Sequence, residues 1–135
     1  MNGLLASIKK HEGFRDRVYD DSLGIPTIGY GFAIKDLVLD EDLAEQILLR
    51  KLEDLMLRVN KTFPWWSKSP DIVRDVVMEM CYQLGVSGFS NFKKTIAHLE
   101  NKRYGKASAE MLDSKWARQT PNRALELSNI VKNLE

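Results

Sequence analysis

His11-Glu12-Gly13-Phe14-Arg15-Asp16-Arg17-Val18-Tyr19-Asp20-Asp21-Ser22-Leu23-Gly24-Ile25-Pro26-Thr27-Ile28-Gly29-Tyr30-Gly31 is the stretch on which the reading of this chain turns. Its start closes an amphipathic pattern. Leu4, Leu5 and Ile8 recur at helical spacing, which predicts a short helix with one buried stripe, stopped at Gly13. After Gly13 the character changes. Val18, Tyr19, Ile25, Thr27, Ile28, Tyr30 and Phe32 are strand-formers, and Asp20 to Gly24 is a turn cluster. A hairpin or three-stranded ribbon is expected over residues 15–33. Pro26 lacks a ladder donor and Gly24, Gly29 and Gly31 weaken strand packing, so the ribbon is mostly edge and needs cover.

The acids in this stretch carry the chemical argument. Glu12 lies seven residues after Leu5 and four after Ile8, on or beside the predicted buried stripe. It also sits in the last helical turn, where the partial negative end of the helix disfavours a further negative charge, as suits a general acid. Alone, the ordinary reading is a terminal glutamate paired with Lys9 or an arginine. Asp20 and Asp21 occupy a turn, where aspartate commonly caps backbone N–H groups. Asp21 gains weight from Glu12 and Thr27. An acid at a helix end, a second acid in the adjoining ribbon and a hydroxyl can together protonate a leaving oxygen and hold a water.

Outward from this stretch, Asp40 is a good N-cap for a second helix, with Leu43, Ile47, Leu48, Leu52, Leu55, Met56 and Val59 at three- and four-residue steps. At 1.5 Å per residue such a helix spans roughly 30 Å and could tie two lobes together. Ser69-Pro70 and Thr120-Pro121 each read as a cap followed by proline at the first helical position. The first introduces a core helix, with Ile72, Val73, Val76, Val77, Met80, Cys81 and Leu84 as its stripe and Gly85 as its end. Phe89, Phe92, Ile96 and Leu99 suggest another helix, Ala107, Met111 and Leu112 a short one, and Leu125, Leu127, Ile130, Val131 and Leu134 a last one. The expected fold is α+β, with the ligand in a cleft between a small helix-plus-ribbon lobe and an all-helical one.

Composition narrows the function classes. The chain has 135 residues, 44% apolar and 29% charged, enough for one core of ordinary size. Twenty Lys and Arg against nineteen Asp and Glu give a net charge of +1, so no overall field draws it to nucleic acid or an anionic membrane. The lone Cys81 forms no internal disulfide and, on an apolar stripe, reads as a packing residue. His11 and His98 have no metal-ligand spacing, so neither metal nor cofactor is expected. No signal peptide or membrane span is read at the N-terminus. Trp65, Trp66 and Trp116 could stack on sugars but are more ordinarily core or inter-helix wedges.

The run His11 to Gly31 resembles the catalytic stretch of the bacteriophage lysozymes, the endolysin muramidases of glycoside hydrolase family 24. Eight residues separate Glu12 from Asp21 and five separate Asp21 from Thr27, as in that family's Glu, Asp, Thr triad. Ser114-Lys115-Trp116-Ala117-Arg118-Gln119-Thr120-Pro121-Asn122-Arg123-Ala124 is a second match, and Tyr82-Gln83-Leu84-Gly85 with Gly88-Phe89-Ser90-Asn91 a weaker third.

The resemblance implies a lysozyme-like single domain over residues 1–135, with a small lobe of about 13–59 and a helical lobe of about 1–12 plus 60–135. It implies Glu12 as general acid, with Asp21 and Thr27 handling the water. It implies substrate-binding positions at Tyr30, Phe32, Gln83, Gln119, Thr120 and Arg123, the arginine pairing with Glu12 across the lobes. It implies peptidoglycan as substrate, a monomer held in a host bacterial cytoplasm until lysis, and a holin-type pore releasing it to the wall. Departures are Phe32 where a histidine follows the family's Gly-x-Gly, Leu23 where an acidic cleft residue stands, and a chain shortened before the spanning helix.

Three readings compete with this one, and a catalytically silent wall-binding protein is among them. Lytic transglycosylases cleave the same bond with one glutamate and need no second carboxylate. Gln83 to Ser90, followed by Lys93 and Lys94, resembles the turn of a helix-turn-helix DNA reader. That reading lacks a basic excess and leaves the Glu12, Asp21, Thr27 spacing unexplained.

Overall fold

In the computed structural model, which describes residues 1–135, helix α1 covers Asn2–Glu12 and stops at Gly13, whose N–H bonds back to the Lys9 carbonyl. The expected buried stripe is not buried: Leu4, Leu5 and Ile8 are 59%, 52% and 46% exposed. Periodicity says which residues share a face and not what covers it.

Strands β1 (Arg15–Asp20), β2 (Pro26–Gly29) and β3 (Phe32–Ala33) form an antiparallel sheet in the order β1-β2-β3, the three-stranded form of the expected ribbon. Pro26 opens β2, where its missing donor costs least. Thr27 is central, opposite Tyr19 on one side and Ala33 on the other. The β1–β2 register slips between Arg15 and Tyr19, a bulge that turns the strand.

Helix α2 (Glu41–Thr62) starts at the expected cap, with Leu43 N donating to Asp40 Oδ1 at 2.8 Å. The chain groups into two compact units, Met1–Glu45 and Gln46–Glu135. Helix α1 therefore groups with the ribbon, and α2 beyond Glu45 with the helical unit, where the expected partition was 13–59 against 1–12 plus 60–135. The grouping of α1 follows from contacts that its last turn makes with the β2–β3 turn, described below.

The second unit contains α3 (Asp71–Ser90), α4 (Lys93–Glu100), α5 (Tyr104–Leu112), α6 (Lys115–Gln119) and α7 (Pro121–Lys132). Gly85 interrupts α3 with φ 78° and ψ 159°, a break that a residue with a side chain resists, so the expected stop is real although one further turn follows it. Ser69 is not the cap of α3, since Pro70 holds that position, whereas Thr120 is the N-cap of α7 with Pro121 as the first helical residue but makes no side-chain cap bond. Ser69 Oγ donates back to the Trp65 carbonyl (3.1 Å) and Thr120 Oγ1 to the Trp116 carbonyl (2.9 Å), each completing the turn before it. The working side-chain cap is Ser114, whose Oγ accepts from Ala117 N and starts α6, a helix that the sequence reading does not contain.

The core of this unit centres on Val59, Val73, Val77, Met80, Phe89, Met111 and Val131, all fully buried. Phe63 meets Phe89 edge-on at 5.6 Å, Phe89 stacks on Phe92 at 6.0 Å and Phe92 meets Trp116 edge-on at 6.1 Å. Trp66 and Trp116 are buried and Trp65 packs against the core, the ordinary role expected of them. Cys81 is buried too, and desolvation pushes its thiol up to about 12, against a lowering influence of Arg58. On α7 the buried face is Ala124, Leu127, Ser128 and Val131, whereas Leu125 and Ile130 of the expected stripe are exposed. Small residues win because α5, itself burying Ala107 and Ser108, packs directly on α7. No helix is long and apolar enough to cross a membrane.

Candidate active site

Asp21, Ile25 and Thr27 form a closed polar network at the β1–β2 turn. Asp21 Oδ1 accepts from Leu23 N (2.8 Å) and Ile25 N (2.9 Å), while Asp21 N donates to the Ile25 carbonyl (3.0 Å). Gly24 N closes the turn on the Asp21 carbonyl at 2.9 Å. One carboxylate oxygen is thus spent on fixing the loop, as turn aspartates ordinarily are, and Oδ2 is left for another partner. Thr27 Oγ1 donates to the Ile25 carbonyl at 2.8 Å. With its proton committed, the hydroxyl offers only lone pairs outward, and burial to 4% exposure holds it in place. Ile25 is the hub of this network through its backbone alone, a role that no side-chain reading reveals.

Glu12 reaches the ribbon by a different route. Gly31, in the β2–β3 turn, has φ 76°, and a Cβ built on it would lie 3.1 Å from Glu12 Cδ and closer still to Oε2. The carboxyl group therefore rests directly on the Gly31 backbone, in space that only glycine leaves open. Lys9, one turn earlier on α1, places its Nζ 5.6 Å from the Tyr30 ring centre. Tyr30 is half-buried and touches Phe14 (ring centres 5.4 Å apart) and Phe32 (6.4 Å). Glu12, Asp21, Thr27, Tyr30 and Phe32 all belong to the unit Met1–Glu45.

The remaining candidates belong to Gln46–Glu135. Gln83 Oε1 accepts from Trp116 Nε1 at 2.9 Å, which occupies its carbonyl and leaves its amide donors. Gln119 lines a groove of about 610 Å³ with Trp116, Lys93, Lys94, Glu110 and Asp113. The Thr120 hydroxyl is committed to the Trp116 carbonyl. Arg123 Nε donates to Glu79 Oε2 at 2.8 Å, so the arginine has a carboxylate partner in its own unit that the sequence reading did not name. Gly31 beneath Glu12, the Ile25 backbone beside Asp21 and Thr27, and Glu79 beside Arg123 are contacts that the sequence reading did not name. The Gly-x-Gly following a strand was a visible signal for Gly31, while Glu79 is one of several charges on α3 and carried no signal of its own.

A carboxylate-tipped terminal helix set on a three-stranded ribbon, in a chain that is otherwise helical, is the lysozyme-like α+β architecture. Residues 9–130 match the phage lysozyme family, and the chain belongs to that family. It is similar to probable T4-type lysozyme 1 of Dictyostelium discoideum, 25% identical with 93% of this chain and 91% of the relative covered. Probable T4-type lysozyme 2 of the same organism is 23% identical, with 92% and 90% covered. Membership implies a glycoside hydrolase acting on peptidoglycan.

Proposed function

We propose that the chain is an N-acetylmuramidase that hydrolyses the β-1,4 bond between N-acetylmuramic acid and N-acetylglucosamine with inversion at the anomeric carbon. Glu12 gives its proton to the departing glycosidic oxygen. A water held by Thr27 attacks the anomeric carbon from the opposite face and loses its proton to Asp21 Oδ2. The observation that carries this reading is the Asp21–Ile25–Thr27 network, which ties one carboxylate oxygen on the β1–β2 turn and one accepting hydroxyl on β2 to the same Ile25 backbone. A water donating one hydrogen to each is aimed through its lone pair, as a nucleophile must be. A transglycosylase, which uses the sugar's own hydroxyl, has no need of such a network.

Gln83, Gln119, Thr120 and Arg123 complete the proposal as saccharide-binding positions, and action on the bacterial wall after release through a holin-type pore as its setting. Family resemblance supports both. Mass spectrometry and proton NMR of digested peptidoglycan test the chemistry. Reducing muramic ends appearing first as the α-anomer are expected. Anhydro ends overturn hydrolysis, and an initial β-anomer overturns inversion.

A further inference from the structure

Tyr30 was expected to touch substrate, yet its surroundings describe something else. Its ring is engaged on both sides of Glu12 in sequence. Lys9, three residues before Glu12 and on the same helical face, sits 5.6 Å from the ring centre. Phe14, two residues after Glu12, lies 5.4 Å away at a tilt of 48°. Phe32 closes a third side edge-on at 6.4 Å, and its own ring lies against Gly29, where a Cβ would come within 2.7 Å of it. The residue next to Tyr30 is Gly31, on whose backbone the Glu12 carboxyl rests. Three of these contacts therefore join the last turn of α1, and Phe14 just beyond it, to one tight turn, in a unit where only Thr27 and Gly29 are buried.

We infer that Tyr30 is a positioning residue, a clamp that fixes the end of α1 on the β2–β3 turn and so sets where the Glu12 proton is delivered. This rests on Glu12 acting as the general acid. Cation–π and tilted aromatic contacts need no hydrocarbon core, which suits a unit too small to build one. A general acid displaced by about 1 Å can lose roughly 10²-fold in rate while substrate binding, made elsewhere, persists. A sugar platform behaves in the opposite way, since losing it weakens binding.

The test measures kcat and KM separately on soluble, un-cross-linked peptidoglycan strands, with melting temperature recorded for each variant. Tyr30→Leu keeps apolar bulk and removes the ring. Its expected result is kcat reduced about 10- to 100-fold with KM within about twofold of wild type. Tyr30→Phe keeps all three ring contacts and restores kcat. Phe14→Leu, at a residue 63% exposed and so harmless to folding, lowers kcat several-fold in the same pattern. A raised KM with kcat intact, in Tyr30→Leu or in Phe14→Leu should the former not fold, overturns the inference in favour of a sugar contact. Unchanged kcat in these variants also overturns it, while Glu12→Gln remains inactive. Turnover retained by Glu12→Gln overturns the general-acid reading and the clamp with it.

Discussion

The two units of this chain are stabilised by different physics. In Gln46–Glu135, nineteen apolar side chains are buried, and helix position follows from filling that core. In Met1–Glu45, the only buried residues are Thr27 and Gly29, and order comes from backbone hydrogen bonds, glycine turns and aromatic edges. The first kind of order tolerates polar substitution at its surface and fails when volume is lost. The second tolerates loss of bulk and fails when one oxygen or one hydrogen is moved. Mutations should accordingly separate, with stability lost in one unit and turnover in the other.

The largest stability effect expected is at Phe89, fully buried between Phe63 and Phe92. Phe89→Ala should cost about 3–5 kcal/mol in chemical denaturation, with specific activity of the remaining folded protein near wild type. A loss below about 1 kcal/mol would break the contrast between units.

Asp21→Asn probes the other side. The amide oxygen can still accept from Leu23 N and Ile25 N, so the turn survives and only the outward charge is removed. Turnover should fall roughly 10²- to 10³-fold with little change in melting temperature. Equal losses in both would make Asp21 a purely structural capping residue.

Gly31→Ala sharpens the comparison further. The new methyl collides with the Glu12 carboxyl and also asks an L residue to hold φ 76°. A kcat reduced about 10- to 100-fold, with KM preserved, is the expected outcome in steady-state kinetics.

The smallest effect concerns Cys81. Burial raises its thiol from an ordinary 9.0 to about 12, with Arg58 pulling the other way. The folded state therefore holds the proton that the unfolded state releases. This stability is fully present below pH 9 and is lost as pH rises from 9 towards 12. Melting curves of Cys81→Ala should fall less steeply over that window than those of wild type, and parallel curves would count against a buried, protonated thiol.

The sequence made some of this legible. Asp40 works as a cap because its short acid reaches the N–H three residues on, and Gly85 breaks α3 because a φ of 78° suits it. Both are local rules that tertiary context did not override. The ribbon was legible for the same reason: turn chemistry and strand-formers alternate within twenty residues. The expected partition put Glu12 in the helical lobe and Asp21 and Thr27 in the small one, whereas all three belong to Met1–Glu45.

What failed was decided by neighbours remote in sequence. The stripe of α1 is regular but exposed, and that of α7 runs through Ala124 and Ser128 because α5 comes close. Ser69 has the composition of a cap, yet α3 begins one residue later than expected, with Pro70 in the cap position and the Ser69 hydroxyl bonded back to the Trp65 carbonyl. Glu79 beside Arg123 depends on two helices 44 residues apart in the chain, which no local pattern encodes.

The central claim is that the carboxyl of Glu12 supplies the proton for glycosidic cleavage. Wild type and Glu12→Gln compared in cell-wall turbidity assays, at equal folded concentration verified by thermal melting, address it directly. The account predicts lysis reduced at least about 10²-fold at an unchanged melting temperature. Lysis within a few-fold of wild type would contradict it.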